Sequence, residues 1–373
     1  MKKRTFFTML VAVFLAVTLA SFSYAAEKIK VGFVMPLTGG VAYTGNLIKK
    51  GADLAVEEIN AKGGVNGAQI ELIPYDSRCA PKEGVAATQR LIEKDRVKFV
   101  LGCVCSHVTL SMMPITEENK VIHINFSYSP KITQMGYNFT FRDAPGSAIT
   151  IPPLTDYLVG KKKVKSWSVL VINNDYGRGD GDEFADGVRR NGGKIVSYDV
   201  IEWGTTDFYP FITKIKGYKP EGIRITEYES SGIGFVKQLR QLGFKGVFSA
   251  CDLIINDMPL KQLGKLADGI YGETVYEPDL YAASKAFDKV YFDKFKEHSQ
   301  RNNAMGYSAV DILARAMTKA KTTTDTGKIA QAMKQLRYEQ VWGPAYYDGQ
   351  GQLQMNAYVV KVKDGKREIV YPK

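Results

Sequence analysis

The chain has 373 residues, 50 Lys and Arg against 39 Asp and Glu, and a formal net charge of +11, with only three histidines and four cysteines. Such a length suggests two domains. The basic balance admits nucleic acid, acidic lipid or anionic ligands as partners, while so few histidines leave little acid–base chemistry open.

Met1–Ala25 has the layout of a secretory signal. Lys2, Lys3 and Arg4 precede an apolar run from Phe6 to Ala20, and Ser23-Tyr24-Ala25 offers small residues, predicting cleavage after Ala25. The run is too short for a membrane span, and no cysteine lies near it to carry a lipid. Export to the periplasm follows, and it argues against nucleic acid as a partner. The densest basic cluster, Lys161-Lys162-Lys163-Val164-Lys165, precedes an apolar strand and is assigned to a solvated strand entry.

In the mature chain, Ile29, Val31, Phe33 and Met35 recur every second residue, as in a strand. Ile48, Ala52, Ala55 and Ile59 then recur every three to four, as in a helix closed by Gly63-Gly64. A strand at Gln69–Tyr75, a helix near Pro81–Asp95, a strand at Val97–Leu101, a helix N-capped by Ser106 and a strand at Val121–Ile124 follow. Strands separated by helices imply parallel βαβ units. Asp143, Pro145 and Gly146 interrupt the pattern within Arg142–Ser147, the expected first boundary.

The pattern restarts with a strand at Trp167–Ile172, a helix after Tyr176, and strands near Lys194–Val200, Gly222–Thr226 and Val247–Ser249. Phe235, Leu239 and Leu242 mark a helix before Gly243. After a strand at Gly269–Val275 come helices on the faces of Phe287, Val290, Tyr291 and Phe295, then of Tyr307, Val310, Ala314 and Met317, and one near Thr326–Leu336. Strands around the Asp348-Gly349 and Asp364-Gly365 turns close the chain. These late helices are too many to finish the second half alone. They belong with the first, so the chain crosses between two Rossmann-like α/β lobes more than once.

No hydrolase elbow, Walker loop or His-Glu-x-x-His string is present. Gly177-Arg178-Gly179-Asp180-Gly181 only superficially resembles a dinucleotide fingerprint, since its third glycine comes one residue early and it lies in the second half. Asp180 and Asp182 lack the other positions of a calcium loop. Cys103 and Cys105 have no partners at zinc-ligand spacing, so no metal and no cofactor are expected. The four cysteines, Cys79, Cys103, Cys105 and Cys251, permit three full disulfide pairings. His123, inside a strand, belongs to the core, and His107 sits beside the Cys103–Ser106 turn.

What remains is a constellation at strand ends. Ser106, Ser127, Tyr128 and Ser129 come from the first half, and Tyr176, Tyr228 and Asp252 from the second. In an open parallel sheet, ligands bind beyond the carboxyl ends of the strands, where the next helix offers free N–H groups to an anion. Hydroxyls and N–H groups on one wall suit a carboxylate; Asp252 with tyrosine hydroxyls on the other suits an ammonium. Together they describe a receptor for a zwitterion.

The chain resembles the periplasmic branched-chain amino-acid-binding proteins, the solute receptors of ATP-driven importers with the type I periplasmic-binding fold. The resemblance rests on Gly32-Phe33-Val34-Met35-Pro36-Leu37-Thr38-Gly39, Ala61-Lys62-Gly63-Gly64-Val65-Asn66-Gly67 and Tyr75-Asp76-Ser77-Arg78-Cys79-Ala80-Pro81. Asp175-Tyr176-Gly177 and Gly204-Thr205-Thr206-Asp207-Phe208 extend it over nearly all of the mature chain. It implies that Ser106, Ser127 and Ser129 hold a carboxylate, that Tyr176 and Tyr228 line the cleft, that Asp252 takes the ammonium, and that Cys79 pairs with Cys105. The loop Asn125–Pro130 is one residue shorter than in the leucine receptors, the pocket aromatic shifts to Tyr43 beside Thr44, and Asp252 is a methylene shorter than glutamate, with Cys251 as an unusual neighbour. Tyr43, Phe126 and Tyr128 then predict a flatter, aromatic-lined pocket.

The resemblance implies a monomeric, non-enzymatic receptor for a small amino acid, branched-chain or aromatic, that delivers it to an inner-membrane ABC permease. The expected lobes are residues 26–143 with 276–356, and 144–275 with 357–373. A same-fold receptor for an aromatic carboxylate, amide or urea-like solute, and an exported enzyme, are the rival readings.

Overall fold

The computed structural model describes residues 28–372, so the signal-peptide expectation for Met1–Ala25 lies outside the described residues. Strand β1 (Lys28–Met35) alternates between exposed and buried only over its first residues; from Val31 onward it is buried throughout. That follows from its place inside a parallel sheet covered on both faces. It pairs with β2 (Gln69–Asp76) on one side and β3 (Phe99–Gly102) on the other, and β4 (Ile122–Asn125) and β5 (Thr140–Arg142) complete the order β2-β1-β3-β4-β5. Helices α1 (Ala42–Ala61), α2 (Pro81–Glu93) and α3 (Ser106–Glu118) connect the strands. Helix α1 begins ahead of the apolar repeat that opens at Ile48, because its first turn is buried through Thr44 and Gly45 instead of hydrocarbon side chains.

Past β5 the chain enters α4 (Ser147–Thr155), which runs into a π-helical turn at Asp156–Lys161. Pro152 and Pro153 mask this helix in the sequence, since proline is ordinarily a helix breaker. Strand β6 (Ser166–Ile172) and α5 (Asp175–Arg190) lead to β7 (Lys194–Ile201), and α6 (Tyr209–Gly217), β8 (Gly222–Thr226), α7 (Glu229–Gln241), β9 (Val247–Ala250), α8 (Asp257–Leu263) and β10 (Tyr271–Thr274) follow. The chain then forms α9 (Ala282–Phe295), α10 (Arg301–Ala320) and α11 (Thr326–Gln335), and a small antiparallel sheet of β11 (Tyr338–Gln340), β12 (Gly343–Tyr347) and β13 (Leu353–Gln354). It returns through β14 (Tyr358–Lys363) and β15 (Lys366–Tyr371) to a second sheet ordered β15-β14-β10-β9-β8-β6-β7, parallel except for those last two strands.

Of the late helices, α10 packs on α1, which connects strands of the first sheet. A Cβ built on Gly51 of α1 would lie 1.8 Å from the Asn303 carbonyl oxygen, and one on Gly306 of α10 would lie 1.9 Å from that of Ile48. The two helices therefore touch backbone to backbone, which only glycine permits. In the second sheet, Arg224 is fully buried between Asp180 at 2.9 Å and Glu273 at 3.0 Å. The Gly177–Gly181 run serves packing: Gly177 lies against the Ile172 backbone and Gly181 against Val171 and Tyr198, so α5 sits close on its sheet.

Arg142 ties the crossings together. Its Nη1 donates to the carbonyls of Ser129 at 2.6 Å and Tyr128 at 3.3 Å. Its Nε bonds Gln352, whose Nε2 in turn donates to the Ala144 carbonyl at 2.9 Å.

Candidate ligand-binding cleft

The loops after β1, β3 and β4 in one sheet and after β6, β8 and β9 in the other converge on one small cavity. Tyr128, Tyr176, Tyr228 and Asp252, four of the residues expected there, line it. Tyr128 donates its hydroxyl to Asp252 Oδ2 at 2.9 Å, and its ring meets that of Tyr176 edge-on at 6.1 Å. Tyr176 and Tyr228 lie 5.7 Å apart.

The other expected residues stand outside this lining. Ser106 is the first helical residue of α3, with Cys105 as the cap, so it is not the N-cap its sequence position suggests. Its hydroxyl instead accepts the N–H groups of Tyr128 at 3.3 Å and Ser129 at 3.1 Å, fixing the loop that carries Tyr128. Ser127 turns into the core, bonding Thr109 at 2.7 Å and the Cys103 carbonyl at 3.0 Å. Ser129 keeps a buried hydroxyl with no hydrogen-bond partner among the described residues. Tyr43 is half-buried and receives a hydrogen bond from Gln300 at 3.2 Å, while its neighbour Thr44 lines the cavity. Phe126 is wholly buried and also absent from the lining. The aromatic wall is therefore made by Tyr128, Tyr176 and Tyr228 instead of Tyr43, Phe126 and Tyr128.

Cys79 and Cys105 form a disulfide, with Cα atoms 5.7 Å apart, and it joins the loop after β2 to the cap of α3. Its Cys79 sulfur lies 3.9 Å from the Tyr228 hydroxyl. Cys103 and Cys251 are free and buried. His107 contacts the Cys79 carbonyl at 2.9 Å beside the disulfide, outside the cavity lining. His123 is fully buried, and burial lowers its pKa to about 4, so it is a neutral core residue. Among the described residues, no three His, Cys, Asp or Glu side chains cluster to hold a metal.

Sequence pattern did not single out Arg301, Asn302, Thr44 or Glu229. The first three line the cavity. Arg301 forms an ion pair with Asp252 and also bonds the Tyr128 hydroxyl. Glu229, at the start of α7, accepts a hydrogen bond from Thr44 across the cleft. Burial raises the pKa of Glu229 and pushes that of Glu227 up to about 7. Burial also raises the Tyr128 phenol to about 12, against the opposing pull of Arg301. The tyrosines thus remain neutral donors and acceptors, and Arg301 and Asp252 supply opposite charges.

Two α/β lobes with parallel sheets, closed over a cavity at the carboxyl ends of their strands, define a solute-binding protein. The family described as "Periplasmic binding protein" matches residues 28–367, and the chain belongs to it. It is a family of solute-binding proteins, and membership implies a periplasmic location.

The chain is 31% identical to the leucine-, isoleucine-, valine-, threonine- and alanine-binding protein of Pseudomonas aeruginosa, covering 90% of this chain and 89% of that one. Its fold is similar to a leucine-binding protein of Thermotoga maritima (27% identity, TM-score 0.86, 92% of this chain and 97% of that one). It is likewise similar to a branched-chain amino-acid transporter substrate-binding protein of Streptococcus pneumoniae in complex with isoleucine (27%, TM-score 0.84, 93% and 100%).

Proposed function

We propose that the protein is the receptor of an ABC importer, that it binds a small α-amino acid between its lobes, and that it passes the solute to an inner-membrane permease as a monomer without chemical turnover. The lobes are taken as residues 26–143 with 276–356, and 144–275 with 357–373. Closure about the crossings near Arg142 and Gln352 removes water from the solute and strengthens its polar contacts. The α-carboxylate is assigned to the α3 N-terminus with Ser106 and Ser129, whose buried hydroxyl lacks a partner. The ammonium is assigned to Asp252, with the hydroxyls of Tyr176 and Tyr228 nearby.

The observation that carries this reading is the meeting of Tyr128 and Asp252 at 2.9 Å from strand ends of two separate sheets. The names of the relatives, which record leucine, isoleucine, valine, threonine and alanine, support an α-amino acid as solute. Replacing Asp252 with Asn is expected to weaken amino acids far more than simple carboxylates in a calorimetric titration. Equal loss for both removes the ammonium role.

The three tyrosine rings in the lining favour a second reading, an aromatic carboxylate or amide as solute. A thermal-shift screen separates the two, since a ligand at a hundred times its dissociation constant adds about 2.7 kcal/mol to stability. A shift with aromatic acids or amides alone selects the second reading.

A further inference from the structure

Arg301 opens α10, lines the cavity, and is only 6% exposed. Its Nη1 meets the Asp252 carboxylate and the Tyr128 hydroxyl. Its Nη2 donates to Asn302 Oδ1 at 3.1 Å, and the guanidinium lies 5.4 Å from the centre of the Tyr128 ring. The Nε–H is buried and has no partner among the described residues.

The ion pair with Asp252 accounts for a charge being tolerated inside the cleft. It does not account for the dry Nε–H, because buried donors are almost always bonded and a charged one is costly to leave bare. A guanidinium is a planar fork of five N–H groups, and its Nε edge presents donors side by side in the spacing of two carboxylate oxygens. The neighbouring wall is polar as well: Asn302 donates to Thr44 at 3.3 Å, and Thr44 donates to Glu229. A chamber for a purely aliphatic side chain has no use for this end of the wall. Val41, Val104, Leu253 and Met305, with the tyrosine rings, line the rest.

We propose that Arg301 is the specificity-determining residue of the cleft, and that its free Nε–H binds a second carboxylate on the solute, so that acidic amino acids are preferred over aliphatic ones. The inference rests on the reading of the cleft as an amino-acid site. Asp252, held on Oδ2 by Arg301 and Tyr128, still presents Oδ1 to the ammonium, which has no partner among the described residues. A site built to bond a polar group discriminates strongly against analogues that lack it, because its own donor is then left buried and bare.

The test is calorimetric titration of the mature protein with L-glutamate, L-aspartate, L-leucine and glutarate, using wild type, Arg301→Met and Arg301→Lys. The expected result is that one acidic amino acid binds wild type at least tenfold tighter than leucine, and that Arg301→Met lowers its affinity at least 100-fold and that of leucine by a factor at least tenfold smaller. Arg301→Lys keeps a cation for Asp252 but lacks the planar fork, so it also loses at least tenfold of the acid-over-leucine ratio; it serves where the Met variant fails to fold. Leucine binding wild type tighter than both acids overturns the proposal. So does an equal loss for all ligands on substitution, which marks an arginine that only holds the lobes together, and so does no binding of either acid or of glutarate. Glutarate bound by wild type and lost in Arg301→Met, with no amino acid bound, upholds the role of Arg301 and removes the amino-acid reading. Leucine bound alike by wild type and Arg301→Lys, with neither acid nor glutarate bound by wild type, does the reverse.

Discussion

Arg301 at the start of α10 and Asp252 after β9 form an ion pair across the cleft, each almost wholly buried. Removing one partner of a buried pair strands the other charge in a medium that solvates it poorly, at a cost of about 3–5 kcal/mol. Asp252→Ala is therefore expected to lower the unfolding free energy by that order in urea titration. The double variant Asp252→Ala with Arg301→Met is expected to recover much of the loss, since no bare charge remains. A double variant as unstable as the sum of two large single losses rejects the coupling.

The first crossing holds a second buried carboxyl. Asp143 is fully buried, accepts a 3.3 Å hydrogen bond from Ser308, and leaves Oδ2 without a partner among the described residues. Burial pushes its pKa from 3.8 up to about 8. The folded state therefore binds this proton more tightly than the unfolded chain does. Its contribution to stability is whole below about pH 4 and is lost as the pH rises towards 8, with a total of the order of a few kcal/mol. Asp143→Asn, which cannot ionise, is expected to flatten that descent, so its melting temperature exceeds that of wild type at pH 8–9 and not at pH 4–5. Parallel profiles for the two proteins count against a buried neutral Asp143.

The disulfide between Cys79 and Cys105 closes a loop with a sequence separation of 26. Chain-entropy arguments give about 3–4 kcal/mol for such a loop. Cys79→Ser with Cys105→Ser is expected to lower the melting temperature, and because the bridge anchors the cap of α3, to weaken ligand binding too. Burial raises the pKa of both free thiols, that of Cys251 to about 12. A thiol reagent is therefore expected to find no reactive cysteine in the native protein and Cys103 and Cys251 once it is unfolded. Rapid labelling of the native protein goes against this arrangement.

The strands were legible because each carries a short apolar run ending in a turn, and Tyr128, Tyr176, Tyr228 and Asp252 were legible because they follow those strands directly. Tyr43 shows where such reasoning slips. Successive residues of a helix are turned by about 100°, so with α1 already under way at Ala42, Tyr43 faces Gln300 and its neighbour Thr44 faces the cleft. Ser127 shares the fate of many loop hydroxyls, drawn to a nearby carbonyl, here that of Cys103. Arg301 carries no local mark at all: its place in the cleft depends on where α10 docks, a long-range fact that no periodicity near residue 301 encodes.

That docking rests on the paired glycines of α1 and α10. An alanine at Gly306 would bring its methyl group to 1.9 Å from the Ile48 carbonyl oxygen, and neither backbone can yield without moving the helix that carries Arg301. Overpacking of this kind costs about 1–3 kcal/mol. Gly217, at the end of α6, has nothing within 4 Å of such a methyl, so Gly217→Ala is expected to be neutral or to stabilise by up to about 1 kcal/mol through helix propensity. Gly306→Ala is expected to lower the melting temperature and, by shifting Arg301, to lower affinity for the solute as well. A Gly306→Ala protein with wild-type stability and affinity shows that α10 adjusts independently of the cleft, and the link between docking and site is then lost.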